Sequence, residues 1–158
     1  MPEISTHDAI SQLLAVLGEA FEGPPHESSY FTDSGAASGL FGTLDGLSAA
    51  AASRMMGGSS IAAHAHHASF AVHASEAWIR GDRSSQDWTQ SWSVSTVDES
   101  AWSRLRKDLR ARYAALRKTV ESHALGSADA FGGAAGALAH AAYHLGAIRQ
   151  KVAWSRKS

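Results

Sequence analysis

The chain has 158 residues, of which 44% are hydrophobic, and this is typical of a single globular domain spanning residues 1–158. It contains no cysteine, which excludes disulfides, thiolate zinc sites, iron–sulfur clusters and a cysteine nucleophile, and nine histidines are left as the strong nitrogen ligands. The formal net charge is -1, so no overall field attracts the chain to nucleic acid or to an anionic membrane. No apolar run reaches membrane-spanning length and residues 1–10 lack a signal-peptide pattern, so we expect a cytoplasmic protein.

The first helix is predicted over residues 5–21, where apolar residues recur at helical spacing behind an N-cap at Ser5 or Thr6. A Gly-Pro-Pro sequence at 23–25 ends this helix. The polar residues that follow, 26–37, are predicted to form a crossing loop.

One or two short helices are predicted next. Apolar residues keep helical spacing from Leu40 into the alanine run at 49–52. We expect breaks at Gly42 and Gly46, and an end at the glycine pair 57–58.

The second long helix is predicted from a cap at Ser59 or Ser60 to about Arg80, and it carries four histidines. At about 3.6 residues per turn, His64 and His67 share the apolar, inward face. The same spacing places His66 and His73 together on a neighbouring face, where we expect surface or subunit-contact residues.

A polar connection at 82–98 contains Trp88 and Trp92, and it is predicted to pack over one end of a helical bundle, because two tryptophans are costly to leave in water. The third long helix is predicted to begin at Asp98 or Ser100. Its basic residues lie outside the apolar stripe and favour a solvated surface over a nucleic-acid face. They are Arg104, Arg106, Lys107, Arg110, Arg112, Arg117 and Lys118.

The last helix is predicted over residues 130–152, after a cap at Ser127 or Asp129 and with a basic end that includes Lys151. Four long helices with no alternating segment indicate an all-α fold, with one or two short extra helices. Long connections follow the first and second long helices, and they permit crossovers between the others.

The last helix contains His140 and His144, which are four residues apart and therefore lie one above the other on one face. Neutral imidazoles at this spacing suit Zn, Ni, Cu or Fe. Because two ligands do not make a site, His67 and His64 are the candidates to complete it. The alternative is that these histidines only form hydrogen bonds within the fold.

Three groups of residues together carry a resemblance to a known family. They are Ser60-Ile61-Ala62-Ala63-His64-Ala65-His66-His67 followed by Gly81, the tryptophans Trp88, Trp92 and Trp102, and His140-x-x-x-His144-Leu145-Gly146-x-Ile148-Arg149-Gln150. These residues resemble the DinB-like superfamily of metal-dependent bacterial proteins, in order over nearly the whole chain.

The resemblance implies an up-up-down-down four-helix bundle with long crossover connections, often dimeric, that holds a divalent metal with three histidines. Carried onto this chain, the ligands are His67, His140 and His144. His64 is the alternative first ligand, since neighbouring histidines leave one turn of ambiguity. The implied metal is Zn, Ni or Fe, and some relatives are transferases or isomerases that use low-molecular-weight thiols.

Two functions follow from this pattern. The first is a mononuclear metalloenzyme, hydrolytic or thiol-transferring, because three imidazoles leave a coordination position open for a small-molecule substrate or thiol cosubstrate. The second is a dimeric bundle that binds metal or ligand without turnover, or that acts in regulation. Haem is disfavoured because His140 and His144 share one face, and a di-iron site is disfavoured because the chain has no Glu-x-x-His motif.

The connectors at 26–31 and 88–92 are predicted to wall the substrate pocket, because each places aromatic bulk beside polar groups. Substitution of Tyr30 or Trp88 is therefore expected to alter ligand affinity. Trp78, on the His67 face, is predicted to belong to the core. A homodimer contact is predicted near His66 and His73.

Overall fold

The structure is a computed structural model, and it describes residues 3–25 and 28–156. Within these ranges the chain forms six α-helices and no β-strand, so the all-α prediction is confirmed. The helices are α1 (Thr6–Glu22), α2 (Leu40–Asp45), α3 (Ala49–Ser53), α4 (Ile61–Ile79), α5 (Glu99–His123) and α6 (Ala128–Ser155), with 3-10 turns at Ala36–Ser38 and Trp88–Trp92.

Each of the four long helices begins after a side chain that caps it. The capping oxygen accepts a hydrogen bond from the backbone N–H three residues further on, which satisfies one of the unpaired donors of the first turn. The caps are Ser5 for α1, Ser60 for α4, Asp98 for α5 and Ser127 for α6. All four caps were among the predicted residues, and the predicted bounds of these helices are confirmed to within a few residues.

The prediction that Gly42 breaks a short helix is wrong, because α2 runs through Gly42 and ends at Gly46. Glycine costs about 1 kcal/mol in a helix interior. Leu40 and Leu44 lie one turn apart on either side of it and are both fully buried, and their burial outweighs that cost.

The core is shared by the four long helices, since α1 and α4 each pack against both α5 and α6. Phe21 of α1 stacks on Tyr113 of α5 with ring centroids 4.5 Å apart. Trp102 of α5 is fully buried, and its indole N–H donates to the carbonyl oxygen of Leu47 at 2.9 Å. Many inward positions of α4 and α6 are alanine, which allows these two helices to lie close together.

Trp78 does not belong to the core, contrary to the prediction, and 43% of its surface is exposed. It lies on the last turn of α4, where it faces Gly133 of α6. A Cβ atom at Gly133 would lie 2.9 Å from the Trp78 ring, so only glycine allows the indole to lie this close to α6. Gly133 has no side chain that could cover the ring. The guanidinium of Arg83 covers the ring, with its central carbon 3.8 Å from the ring centroid.

The connection after α1 is organised by Glu19, which the sequence reading missed. This carboxylate is buried, and it accepts hydrogen bonds from the backbone N–H groups of Tyr30, Phe31 and Thr32 and from the hydroxyls of Ser29 and Thr32. Burial by itself raises the pKa of Glu19, but these hydrogen bonds outweigh it and lower the pKa to about 2. The carboxylate is therefore ionised at neutral pH and holds residues 29–32 against α1.

No helix within the described ranges is long and apolar enough to cross a membrane.

Candidate metal centre

Two helices bring four histidines together in the interior. His64 and His67 lie one turn apart on the inward face of α4, and His140 and His144 lie one turn apart on α6, as the spacing predicted. His64, His67 and His144 are buried, whereas His140 is half-buried. The cluster therefore lies between α4 and α6, with its most accessible imidazole at His140.

Three of these side chains converge closely enough to bind one ion. His67, His140 and His144 each offer one nitrogen, and the three nitrogens all lie within 4.8 Å of one another. The Nε2 atoms of His67 and His140 are 3.1 Å apart. Ligands about 2.1 Å from a tetrahedral ion are roughly 3.4 Å apart, and at most about 4.2 Å apart in any geometry. The bound of 4.8 Å is above this limit, so the side chains must shift before all three nitrogens can contact one ion.

The ring of His67 is oriented by Ser91 in the 3-10 turn at Trp88–Trp92. The Ser91 hydroxyl donates to the carbonyl oxygen of Trp88 at 2.6 Å, so it accepts a hydrogen bond from Nδ1 of His67, which lies 2.8 Å away. The proton of His67 is thereby held on Nδ1. Its Nε2 lone pair points toward His140, as a metal ligand requires.

His64 lies beside the group of three rather than within it. Its Nδ1 is 2.9 Å from Nδ1 of His144, and its Nε2 is 3.0 Å from the hydroxyl of Ser59. The α4 residue in the group of converging nitrogens is therefore His67 and not His64.

Burial keeps the imidazoles in their neutral form. It lowers the pKa of His67 to about 4 and that of His144 to about 3, and the charges of the neighbouring imidazoles add to the effect. Burial also lowers the pKa of His140, and the pKa of His64 is lowered by burial and then by the charge of Lys151. At neutral pH each of these imidazoles therefore has one unprotonated nitrogen, as a ligand of a divalent ion requires.

Lys151 was predicted to belong to a basic helix end, and the structure places it elsewhere. It is buried, and its ammonium group donates to the carbonyl oxygens of Met56 and Ser59, the latter at 3.0 Å. Desolvation lowers the pKa of Lys151. Its hydrogen bonds anchor the turn that carries Ser59, beside His64.

Exposed aromatic rings surround the histidines. Trp92 stacks on His67 with ring centroids 4.2 Å apart, and Trp88 lies 6.1 Å from the same imidazole. Tyr143 meets His144 edge-on at 5.2 Å. These three rings are 45%, 49% and 72% exposed for Trp92, Trp88 and Tyr143 respectively. The prediction that the 88–92 connector approaches the site is confirmed.

The other predicted connector has different contacts. His26 lies outside the described residues. Tyr30 donates its hydroxyl to Gln12 of α1 at 2.6 Å, and the backbone of residues 30–32 is held by Glu19. The described contacts of this segment are thus with α1, and its predicted role as a pocket wall has no described contact to support it.

His66, predicted to be a surface or subunit-contact residue, is half-buried, and its Nδ1 lies 2.9 Å from the carbonyl oxygen of Ser91. The 3-10 turn covers this face of α4, which helical periodicity alone could not show. His73 is exposed, as expected. Tyr143 was missed, although a tyrosine beside a predicted ligand in an alanine-rich helix was a signal for it.

No protein-family model matches the chain, and neither a curated protein nor a solved structure matches it. The resemblance to the DinB-like superfamily therefore stays a prediction based on the residues quoted above.

Proposed function

We propose that this chain is a mononuclear enzyme dependent on a divalent metal, held by His67, His140 and His144, and that it is a member of the DinB-like superfamily. The observation that carries the proposal is the convergence of one nitrogen from each of these residues within 4.8 Å. Neutral imidazole nitrogens favour Zn, Ni or Fe over a hard cation such as Mg²⁺. The lowered pKa values of the histidines support the same assignment.

Three protein ligands leave a position for an exogenous ligand, which is the arrangement of catalytic zinc sites. A bound divalent ion would act there as a Lewis acid, either by lowering the pKa of a water to about 7 or by binding a thiolate. The three histidines carry no negative charge to offset that of the ion. The site therefore favours an anionic ligand such as hydroxide or thiolate.

The aromatic rings of Trp88, Trp92 and Tyr143 support a small-molecule substrate. Large exposed aromatics beside a polar cluster are typical of pocket walls. The half-buried position of His140 gives the cluster its most accessible edge. We propose that the substrate, or a low-molecular-weight thiol cosubstrate, approaches from this side and that the reaction is a thiol transfer or a hydrolysis.

A second function is a bundle that binds metal or a ligand without turnover, in a regulatory or stress role. One observation favours it. The described hydrogen bonds of the four clustered histidines are to Ser59, to Ser91 and to one another, so no described carboxylate contacts them as a general base. A thiolate cosubstrate is itself the nucleophile and needs no general base. For the enzyme hypothesis, thiol transfer therefore fits the site better than hydrolysis does.

We further propose that the four long helices run up-up-down-down, and that the chain is a cytoplasmic homodimer. The packing of α1 and α4 against both α5 and α6 supports the bundle topology. His73 on α4 is exposed, so it is still a candidate contact residue for the dimer. A monomeric mass in solution at micromolar concentration would contradict the dimer without affecting the metal site.

The metal proposal is tested on the untagged protein by metal analysis after incubation with Zn²⁺, Ni²⁺ or Fe²⁺ and desalting. We expect about one equivalent of metal per chain for the natural sequence and none for His144→Ala, with helical content unchanged. His73→Ala is the matched control, because it removes an exposed histidine from α4, and it should retain the metal. A natural sequence that stays folded and metal-free, or a His144→Ala variant that retains the ion, would contradict the proposal.

Turnover separates the two functions once metal binding is established. The enzyme reading predicts thiol transfer or hydrolysis that disappears on chelation and returns with the added ion. Stoichiometric metal without turnover on panels of both substrate classes would favour the non-catalytic bundle.

A further inference from the structure

His64 has a role distinct from that of the three converging histidines. It is buried, and both of its ring nitrogens are engaged. Nδ1 lies 2.9 Å from Nδ1 of His144, and Nε2 lies 3.0 Å from the hydroxyl of Ser59. A buried imidazole with a partner at each nitrogen has a defined ring orientation.

The positions of the protons follow from this chain of contacts. The two Nδ1 atoms are at hydrogen-bonding distance, so one of them carries the proton and the other accepts it. If His144 presents its Nε2 lone pair to an ion, its proton lies on Nδ1 and is donated to His64. His64 then carries its own proton on Nε2 and donates it to Ser59, whose hydroxyl oxygen can accept it. One set of tautomers thus satisfies every contact.

We propose that His64 is a positioning residue that accepts a hydrogen bond from Nδ1–H of His144 and thereby presents Nε2 of His144 to the metal. This inference rests on the proposed function. Groups that hydrogen-bond to the far nitrogen of a metal-bound histidine fix its tautomer and orientation, and their loss typically weakens metal binding about 10–100-fold.

A second proposed ligand has the same arrangement. Ser91 accepts a hydrogen bond from Nδ1 of His67, so the proton of this imidazole is also held on the nitrogen that faces away from the cluster. The hydroxyl that faces His64 is held in place, because the ammonium group of Lys151 donates to carbonyl oxygens in the turn that carries Ser59. Ser91 is held in place in a similar way, since its hydroxyl donates to the carbonyl oxygen of Trp88.

The competing role for His64 is that of a fourth metal ligand, which would close the site. The geometry opposes this role. His64 is outside the group of nitrogens that lie within 4.8 Å of one another, and Ser59 occupies its remaining nitrogen. A positioning role leaves the open coordination position in place, whereas a four-histidine site would be typical of a structural metal.

The test compares His64→Leu with His64→Asn in zinc titrations against a chromophoric chelator. Leucine keeps the apolar volume but offers no acceptor, so we expect zinc binding about 10–100-fold weaker than in the natural sequence. The Oδ1 atom of asparagine lies close to the position of histidine Nδ1, so His64→Asn should recover most of this loss. His73→Leu serves as the control and should bind zinc normally, since His73 is exposed on the same helix.

Two further measurements cover the case in which His64→Leu does not fold. Ser59→Ala removes only the outer hydroxyl, and it should weaken zinc binding in the same direction but by less. Nitrogen-15 NMR of the zinc-loaded natural sequence, labelled at histidine, should show His144 bound through Nε2 with a proton on Nδ1, and His64 not bound to the ion.

The outcomes separate this inference from the proposed function. Zinc bound through Nδ1 of His144, a zinc-bound His64, or a folded His64→Leu variant of unchanged affinity would overturn the positioning role while the metal site stands. If His64→Asn binds zinc as weakly as His64→Leu, the positioning role is also contradicted, because restoring a hydrogen-bond acceptor for His144 would then have no effect on affinity. The titrations use Ni²⁺ or Fe²⁺ instead if the natural sequence binds one of these ions and not zinc. If it binds none of the three, the proposed function fails and the inference fails with it.

Discussion

The proposed metal binding depends on histidines that burial keeps neutral. The pKa of His67 is lowered to about 4 and that of His144 to about 3, from an ordinary value of 6.5, first by desolvation and then by the neighbouring imidazoles. Lysine and histidine side chains that lose water in this way favour the uncharged form. The same effect makes the histidines available to a metal and makes the metal-free fold sensitive to acid.

We expect the metal-free protein to lose stability as the pH falls below about 6.5. The folded pKa values of His67 and His144 are lowered, so between 6.5 and these values the unfolded chain binds more protons than the folded chain. The free energy of unfolding is therefore largest above this window and falls with pH inside it. Urea unfolding of the metal-free protein at about pH 7.5 and about pH 5 measures the effect while staying above the range in which carboxylates titrate. Equal stability at the two pH values would contradict the buried, neutral state of these side chains.

The candidate ligands could be predicted from the sequence better than the residues that orient them. His140 and His144 are four apart on one helix, and periodicity placed both His64 and His67 on an inward face. Only the resemblance put His67 before His64. The contacts of Ser59 and Ser91 depend on loop conformation, which has no periodic signal. Lys151 reaches carbonyl oxygens more than 90 positions earlier in the chain, and nothing in a local pattern indicates such a contact.

Among the elements, the 3-10 turn at Trp88–Trp92 has the closest relation to the site. It provides Ser91 to orient His67 and stacks Trp92 on the same imidazole. Its carbonyl group at Ser91 also lies 2.9 Å from Nδ1 of His66. The turn is therefore fixed to two successive positions of α4, and its Trp92 also lies 6.0 Å from the ring of His144 on α6.

Ser91→Ala should weaken zinc binding by about tenfold or more, because His67 loses the acceptor that holds its proton on Nδ1. Ser93→Ala is a matched control, since Ser93 is exposed just after the turn and its hydroxyl donates only to the carbonyl oxygen of Gln90. Competition titrations with a chelator measure both variants. Equal affinities in the two variants would show that Ser91 does not orient the ligand.

The ends of the helices show where sequence patterns are informative and where they are not. The caps of the long helices are local and were predictable from residue type. The continuity of α2 through Gly42 and the exposure of Trp78 depend on what packs nearby. Trp78 shares a helical face with His67, but it lies against a glycine of α6, Gly133, and 43% of its surface is exposed.

Two tryptophan substitutions test this difference in burial. Trp102→Ala should cost roughly 3–5 kcal/mol in the free energy of unfolding, because Trp102 is fully buried and hydrogen-bonded to Leu47. Trp78→Ala should cost only about 1–2 kcal/mol, since 43% of the side chain is already in water. Chemical denaturation measures both. A loss at Trp78 as large as that at Trp102 would mean that Trp78 is enclosed in solution, for example in a dimer.

At the scale of the whole molecule, the contacts between the long helices differ in their side chains. Helix α1 packs against α5 with the ring of Phe21 stacked on that of Tyr113. The pairing of α4 with α6 is lined with alanines and buries the histidine cluster. Close helix approach at small residues brings imidazoles from opposite helices within reach of one ion, which bulky neighbours would prevent.

The most direct test of the metal assignment is a crystal structure of the untagged protein grown with zinc, with anomalous data collected at the zinc edge. We expect one strong peak between α4 and α6, about 2.0–2.2 Å from one nitrogen each of His67, His140 and His144, with a non-protein ligand completing the coordination. A fully occupied ion elsewhere on the chain and none at these residues, or His67 still hydrogen-bonded to His140 with no anomalous peak between α4 and α6, would contradict the assignment.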